Sequence, residues 1–269
     1  MKSLCMMLSL AGVMAVPNLF ADMQITLMDN GDNTPGPHSD SSDLYSYSNG
    51  GEFRGVGNSG LDSIIDWGAY STTAGTKGTV TTANSGGSWG YGSGLAQSGA
   101  LFFQTFCTEL NEEYTPGGTY TISTVGNNAL YNNSPTQTPV PITLGVAYLY
   151  SQFAAGKLAG YDYTYGSGRS ATAGDLQSAI WILLSETSGT LATWVSNDLT
   201  SGLGSNTSVW TQNANGAYRV EDMTLDNPGQ AQDQLIMAVP EAPTVIAGAL
   251  LLLPFGASAF KILRKQRSV

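Results

Sequence analysis

The chain has 269 residues, enough for one large domain or two small ones with a sizeable core. Its 20 acidic residues outnumber 10 basic ones, and segment 22–238 holds 19 of the acids but only five of the bases. A surface this acidic repels nucleic acid and anionic lipid, so we expect no nucleic-acid partner. Only 11% of residues are charged, which is typical of an extracellular β-rich protein rather than a cytosolic enzyme.

The N-terminal segment 1–21 has the pattern of a secretory signal peptide. Lys2 supplies the basic start, an apolar run follows over 4–16, and Pro17 ends that run. Ala21 is a suitable cleavage position. The pattern therefore predicts export across the inner membrane, with an N-terminal membrane anchor as the alternative.

The body at 22–238 is predicted to be a single domain with several short strands. Alternating or β-rich patterns predict strands at 23–28, near 52–56, and at 78–82, 100–110, 119–124, 218–225 and 234–237. Segment 61–70 fits either a strand or a single helical turn. We expect these strands to form a sandwich-like or barrel-like lobe.

A helical insert is predicted at about 141–199. Pro141 occupies the first helical position that proline prefers, and a buried stripe follows it. The stripe consists of Ile142, Val146, Leu149, Tyr150, Phe153 and Leu158. Asp175 is suited to cap a second helix running to about 186, with Gln177 in its first turn, and 190–199 adds a short third helix. The fold class is therefore α+β, a β-rich lobe with a helical insert.

The cysteines pose the main chemical question of the sequence. Cys5 lies in the expected signal peptide, so the exported protein would carry Cys107 alone. A lone cysteine in an exported protein indicates intermolecular pairing, a reactive thiol or some other covalent bond. A thiol and a glutamine amide held together away from water can condense to a thioester with loss of ammonia, and Gln177 is our candidate partner.

Such a thioester would need an apolar shell that excludes water. Phe106 and Trp181 are our candidates for that shell, with Phe102 and Phe103 as further aromatic neighbours. We also expect the N-terminus of the second helix to supply backbone N–H donors for a developing oxyanion. The carboxyl groups available to move protons are Asp175 and Glu109.

Turnover catalysis has weak support in the sequence. A cysteine hydrolase needs a general base, and the only histidine, His38, lies in a polar loop among Pro, Ser and Asp. No spacing of His, Cys or carboxylates forms a complete metal site, so we expect no metal and no cofactor. The tyrosine-rich loop at 160–170 can stack on sugars, although a packed loop is the simpler interpretation.

Two motifs in this region resemble those of the thioester domains of bacterial surface adhesins. The first runs from Phe106 through Cys107 to Leu110, and the second is Gln177-Ser-Ala-Ile-Trp181. The resemblance covers about 100–186 and implies a thioester-type adhesion domain at 22–238. It implies an internal thioester with Cys107 as the thiol and Gln177 as the acyl group, which reacts with a nucleophile on a target surface. Glu109 stands where family members more often have Asp.

The C-terminal segment 239–269 has three parts in order. Pro240, Glu241 and Pro243 precede an apolar run at 245–260, and a basic tail follows at 261–267. At ~1.5 Å per residue the run nearly spans a bilayer core, and the basic tail would stay cytoplasmic. The segment resembles the PEP-CTERM sorting signal, with Ala242 inserted before the second proline. The resemblance implies an exosortase-type processing enzyme; a plain single-pass anchor is the alternative.

These patterns together lead to one main hypothesis. We expect an exported protein, membrane-anchored before processing and then at the cell surface or in the extracellular matrix. It would attach once per molecule to a surface amine or hydroxyl on a protein or polysaccharide, and would not be an enzyme. The alternative is a non-covalent structural or glycan-binding component of the extracellular polysaccharide matrix.

Overall fold

The structure is a computed structural model that describes residues 23–28, 51–57, 59–79, 99–110, 118–129, 139–164, 167–226 and 230–240. The expected signal peptide at 1–21, the expected span at 245–260, Glu241 and Pro243 lie outside these ranges. Pro240 is exposed at the last described position. Within the described ranges, no helix has both the length and the apolar character needed to cross a bilayer.

The described residues form nine strands and four α-helices. The strands are β1 (Gln24–Met28), β2 (Phe53–Gly57), β3 (Lys77–Thr79), β4 (Leu101–Thr105), β5 (Gly118–Gly126), β6 (Asn128–Ala129), β7 (Val140–Pro141), β8 (Val220–Asp226) and β9 (Gln230–Met237). The helices are α1 (Leu144–Ala154), α2 (Ser167–Leu183), α3 (Thr193–Leu203) and α4 (Thr207–Trp210). Segment 61–70, predicted as a strand or a helical turn, contains short 3-10 turns.

Seven of the strands form one antiparallel sheet in the order β3-β4-β2-β1-β5-β8-β9, and β6 pairs with β7 in a separate ribbon. Successive side chains of a strand point to opposite faces of the sheet, so every second side chain faces the helices. Ile25 and Leu27 of β1 and Ile122 of β5 are buried there in the main core. The alternation used in the sequence analysis therefore locates these strands correctly.

The two ends of the sheet meet just after β4. Phe106 accepts a backbone hydrogen bond from Leu235 of β9 at 3.0 Å, and Thr108 donates to Asp233 at 3.0 Å. Cys107 lies opposite Gln234 between these two bonds. Since β9 forms one edge of the sheet and β4 lies next to the other edge, the sheet curls. The backbone of Cys107 is thereby fixed on both sides.

The main core lies between the inner face of the sheet and the helices. It includes Leu225 and Leu235 from the sheet, and Leu149 and Phe153 from α1. The rings of Phe106 and Phe153 meet edge to face with 4.9 Å between their centroids. Burying such aromatic and aliphatic side chains contributes ~1.5–3 kcal/mol each, so this layer dominates the stability of the fold.

Helix α1 begins three residues later than the sequence predicts. Pro141 belongs to β7, and Thr143 caps the helix by accepting a hydrogen bond from the Val146 backbone N–H. The side-chain oxygen of a threonine cap satisfies a backbone donor that the first helical turn leaves unpaired. At this helix the threonine cap, and not the proline, marks the start. The predicted stripe is nevertheless correct, because all six of its residues are buried.

Helix α2 begins at Ser167, well before the predicted cap at Asp175. Asp175 instead lies inside the helix and accepts a hydrogen bond from the indole Nε1 of Trp194 at 2.8 Å. The prediction that Gln177 sits in the first turn is therefore wrong, since it lies in the third turn. A helix start is easily missed where, as at 167–174, small residues dominate and no apolar period marks the first turns.

The tyrosine-rich loop packs into the protein at the positions that the structure describes. Tyr161 is buried, and its ring meets Phe153 at 5.1 Å between centroids. Tyr163 stacks on the same phenylalanine at 6.0 Å. These rings are engaged in the core, in agreement with the simpler interpretation of the loop.

The α+β class and the large antiparallel sheet of the predicted β-rich lobe are confirmed.

Candidate functional site

Cys107 and Gln177 lie in direct contact, although 70 positions separate them in the chain. The Sγ of Cys107 donates to the Oε1 of Gln177 at 3.2 Å. The amide Nε2 of Gln177 donates to the backbone carbonyl of Cys107 at 2.8 Å. Both residues have an exposed fraction of 0%. The side-chain amide is thus docked against the cysteine at two points and shielded from water.

This contact is close to the geometry of attack by the thiol on the amide carbon. Because a C=O bond is about 1.23 Å long, the Cδ of Gln177 lies within about 4.4 Å of the sulfur. Reacting atoms in a near-attack arrangement are ~3–3.5 Å apart. The Cδ of Gln177 therefore lies no more than about 1 Å outside that range.

A donor for the developing oxyanion is also in place. The backbone N–H of Cys107 donates to the Oε1 of Gln177 at 3.2 Å. That oxygen becomes negatively charged when the sulfur adds to Cδ, so the hydrogen bond strengthens as the reaction proceeds. The prediction of donors from the N-terminus of α2 is wrong, because Gln177 lies nearly three turns beyond the start of that helix.

The apolar shell around the sulfur differs in part from the prediction. Cys107 clusters with Phe53 and Trp181, and Leu110 packs against them. Phe106 is fully buried but belongs to the main core. The other two aromatic candidates also point elsewhere, Phe103 into the main core and Phe102 into a separate cluster with Val56. Trp181 is therefore the predicted shielding residue that touches the cysteine cluster.

The electrostatic environment disfavours a thiolate. Burial raises the pKa of Cys107 well above its ordinary value, and the nearby Glu109 carboxylate raises it further. A proton therefore stays on the sulfur at neutral pH, where it is donated to Gln177. A thiol of this kind reacts slowly with reagents in solution. The amide of Gln177 is the group that the structure holds against this thiol.

Three buried carboxyl groups lie beside the cysteine on β8, β9 and the segment after β4. They are Glu109, Asp222 and Asp233, each no more than 1% exposed. Glu109 accepts from the Asp233 backbone N–H at 3.0 Å, and Asp222 accepts from the Thr108 hydroxyl at 2.9 Å. Burial raises the pKa of Asp222, and the charges of Asp233 and Glu109 raise it further. The cluster therefore holds a proton above the pH at which exposed carboxyls lose theirs.

We expect this proton to make stability depend on pH. The folded pKa of Asp222 is raised above its unfolded value of ~3.9, so the folded state binds more protons between those two values. The free energy of unfolding should therefore fall as pH rises from ~4 toward the folded pKa, by up to ~1.4 kcal/mol per pH unit. Urea denaturation at several pH values measures this slope.

Asp222→Asn should flatten that slope, because asparagine does not titrate. Asp226→Asn is the matched control, since Asp226 lies at the exposed end of the same strand. Identical slopes in the wild type and Asp222→Asn would contradict the assignment of the proton to this cluster.

A buried ion pair fixes the helix that carries Gln177. The Arg169 guanidinium, 1% exposed, donates to Glu52 from Nη2 at 2.5 Å and from Nε at 3.0 Å. Its Nη1 donates to the carbonyls of Ala74 and Tyr163 at 2.9 and 2.8 Å. Glu52 directly precedes Phe53, which belongs to the same small apolar cluster as Cys107. The pair therefore ties the first turn of α2 to the wall of the cysteine site.

Sequence reasoning missed several parts of this site. Phe53, Glu52 and Arg169 carry no local signal, because their partners are distant in the chain. Gln177 itself had a signal, since it interrupts the buried stripe of α2 formed by Ala173, Leu176, Ile180 and Leu183. A polar residue on such a stripe requires a polar partner in the interior.

Comparisons of the chain with protein-family models, with curated proteins and with solved structures give no match. Within the described ranges, no group of three or more His, Cys, Asp or Glu side chains is arranged to hold a metal ion. The groups that the chain itself presents at the site are a thiol, an amide, a backbone donor and an indole N–H.

Proposed function

We propose that this protein is an exported surface protein that attaches covalently to a target amine or hydroxyl through a thioester between Cys107 and Gln177. The observation that carries the proposal is the 3.2 Å contact between the thiol and the amide oxygen of two fully buried residues. For each residue alone, an ordinary buried role would suffice. Their contact supports the thioester, because segment 22–238 contains no second cysteine with which Cys107 could form a disulfide.

The proposed chemistry has two steps that balance without a cofactor. In the first, Sγ bonds to the Cδ of Gln177 and the bond from Cδ to Nε2 breaks. Ammonia leaves with the thiol proton. In the second, a target amine attacks Cδ and the carbon–sulfur bond breaks. The target is then joined by an amide to residue 177, and its displaced proton returns the cysteine to the thiol.

A single attachment per molecule follows from this scheme. The second step leaves Cys107 as a thiol and converts residue 177 to a substituted amide, which has no ammonia left to lose. The protein is therefore consumed by its reaction and is not a turnover enzyme. The surface location rests on the expected signal peptide at 1–21 and the expected sorting segment at 239–269.

Capture of a fluorescent primary amine tests the proposal against a non-covalent matrix protein. We expect label to remain on the protein after heating in denaturant, at no more than one label per molecule, and to map to the peptide containing Gln177. Removal of all label by denaturant would favour the non-covalent structural or glycan-binding alternative. Continuous release of product at more than one turnover per molecule would instead indicate a hydrolase.

A further inference from the structure

The release of sulfur is the difficult step of the proposed chemistry. When a nucleophile opens the thioester, the electron pair of the carbon–sulfur bond moves to the sulfur of Cys107. That sulfur is fully buried in an apolar cluster, with the Glu109 carboxyl nearby. Negative charge is costly in such surroundings unless a hydrogen-bond donor meets it.

Trp181 carries a buried donor beside this sulfur. It is 4% exposed and lies four residues after Gln177, hence on the same face of α2. Its ring belongs to the small cluster that contains Cys107 and Phe53. Its Nε1–H has no hydrogen-bond partner in the described part of the chain.

The other tryptophans that the structure describes do not share this property. Trp67 donates to Asp62 at 2.7 Å, Trp194 to Asp175 at 2.8 Å, and Trp210 to the Gly204 carbonyl at 3.0 Å. Buried donors in folded proteins are nearly always paired. The unpaired donor of Trp181 therefore requires an explanation, and the adjacent reactive sulfur supplies one.

We propose that the indole N–H of Trp181 is the hydrogen-bond donor that stabilises the Cys107 sulfur as it takes up negative charge. The inference rests on the proposed thioester and assigns Trp181 a chemical role beyond shielding. When an amine attacks Cδ of residue 177, the electron pair released to sulfur is met by this N–H. The proton of the attacking amine then passes to the sulfur, which ends as a neutral thiol.

The same donor acts on the free thiol. Although burial and Glu109 together raise the pKa of Cys107, the Trp181 side chain opposes that rise by favouring the charged sulfur. It also makes sulfur a better nucleophile in thioester formation, since the thiolate is the reactive form.

Trp181→Phe tests the proposal kinetically, because it keeps an aromatic ring and removes the N–H. A hydrogen bond to a charged group contributes enough free energy for an effect on the order of tenfold. We expect methylamine to open the preformed thioester about tenfold more slowly in this variant. Trp210→Phe, which removes a remote buried indole, should open at the wild-type rate. Equal rates in the wild type and Trp181→Phe would overturn the proposal.

A second measurement separates this inference from the thioester itself. In the Gln177→Ala background, which cannot form a thioester, the indole proton resonance of Trp181 should report on its acceptor. Cys107→Ser should move it downfield through a stronger acceptor, and Cys107→Ala should move it upfield through loss of the acceptor. The Trp210 resonance serves as the internal control.

Shifts of the Trp181 resonance in the same direction in both variants would overturn the inference. If the wild type contains no thioester, the proposed function fails, and the resonances still decide whether the indole bonds to sulfur. If Trp181→Phe forms no thioester while the wild type does, its opening rate cannot be measured. The shifts of the Trp181 indole resonance then test the inference instead.

Discussion

Replacing Arg169 with methionine is expected to lower the free energy of unfolding by about 3–5 kcal/mol, the largest stability effect among our predictions. The guanidinium and the Glu52 carboxylate are each buried, with side-chain exposures of 1% and 2%. Methionine fills much of the space but removes the guanidinium that pairs with the Glu52 carboxylate, which also accepts a hydrogen bond from the Tyr161 hydroxyl at 2.8 Å. Removing one partner of a buried ion pair is strongly destabilising.

Denaturant unfolding of two further variants identifies the cause. Glu52→Gln combined with Arg169→Met removes both charges, so we expect the double variant to be more stable than Arg169→Met alone. Arg219→Met is the matched control, because its ion pair with Asp66 is solvent-exposed and should contribute no more than ~1 kcal/mol. Equal losses in Arg169→Met and Arg219→Met would contradict the role of the buried pair.

The second large effect concerns the covalent bond itself. Cys107→Ala removes the sulfur and Gln177→Glu removes the ammonia that must leave, so neither variant should form a thioester. We expect both to have the full mass calculated from the sequence, while the wild type is lighter by one ammonia. Gln177→Glu is the sharper variant because it keeps the size and shape of the side chain.

Controls are needed because proteins lose ammonia in other ways. Asparagine followed by glycine, as at Asn49 and Asn215, can cyclise with the same mass change. Such a loss would persist in Cys107→Ala, whereas a thioester deficit would not. Gln152→Glu, on α1, should retain the deficit, since this glutamine lies outside the cysteine site.

Local patterns explain how much of the fold was predictable. Period-two alternation located β1, β5 and β8, and the apolar stripe located α1, because these signals depend on neighbours within a few residues. The start of α2 was missed since its first turns contain mainly small residues. No local pattern indicates that the chain after β4 pairs with β9, where Cys107 lies opposite Gln234, 127 positions away in the chain.

The candidate site divides in the same way. The pairing of Cys107 with Gln177 was anticipated from motifs, and the structure brings the two side chains together. The supporting groups were not anticipated, because they come from distant strands. Glu52 and Arg169 are 117 positions apart, and Glu109 meets Asp233 across 124. Long-range partners of this kind are set by the register of the sheet, which the sequence patterns do not specify.

The most direct test is the intact mass of freshly purified wild-type protein, measured together with titration of its thiol before and after methylamine. Our account predicts a mass lower by one ammonia and no free thiol at Cys107. Methylamine should then add at Gln177 and release one thiol. A mass equal to that of the sequence, with a free Cys107 thiol from the start, would contradict the covalent mechanism.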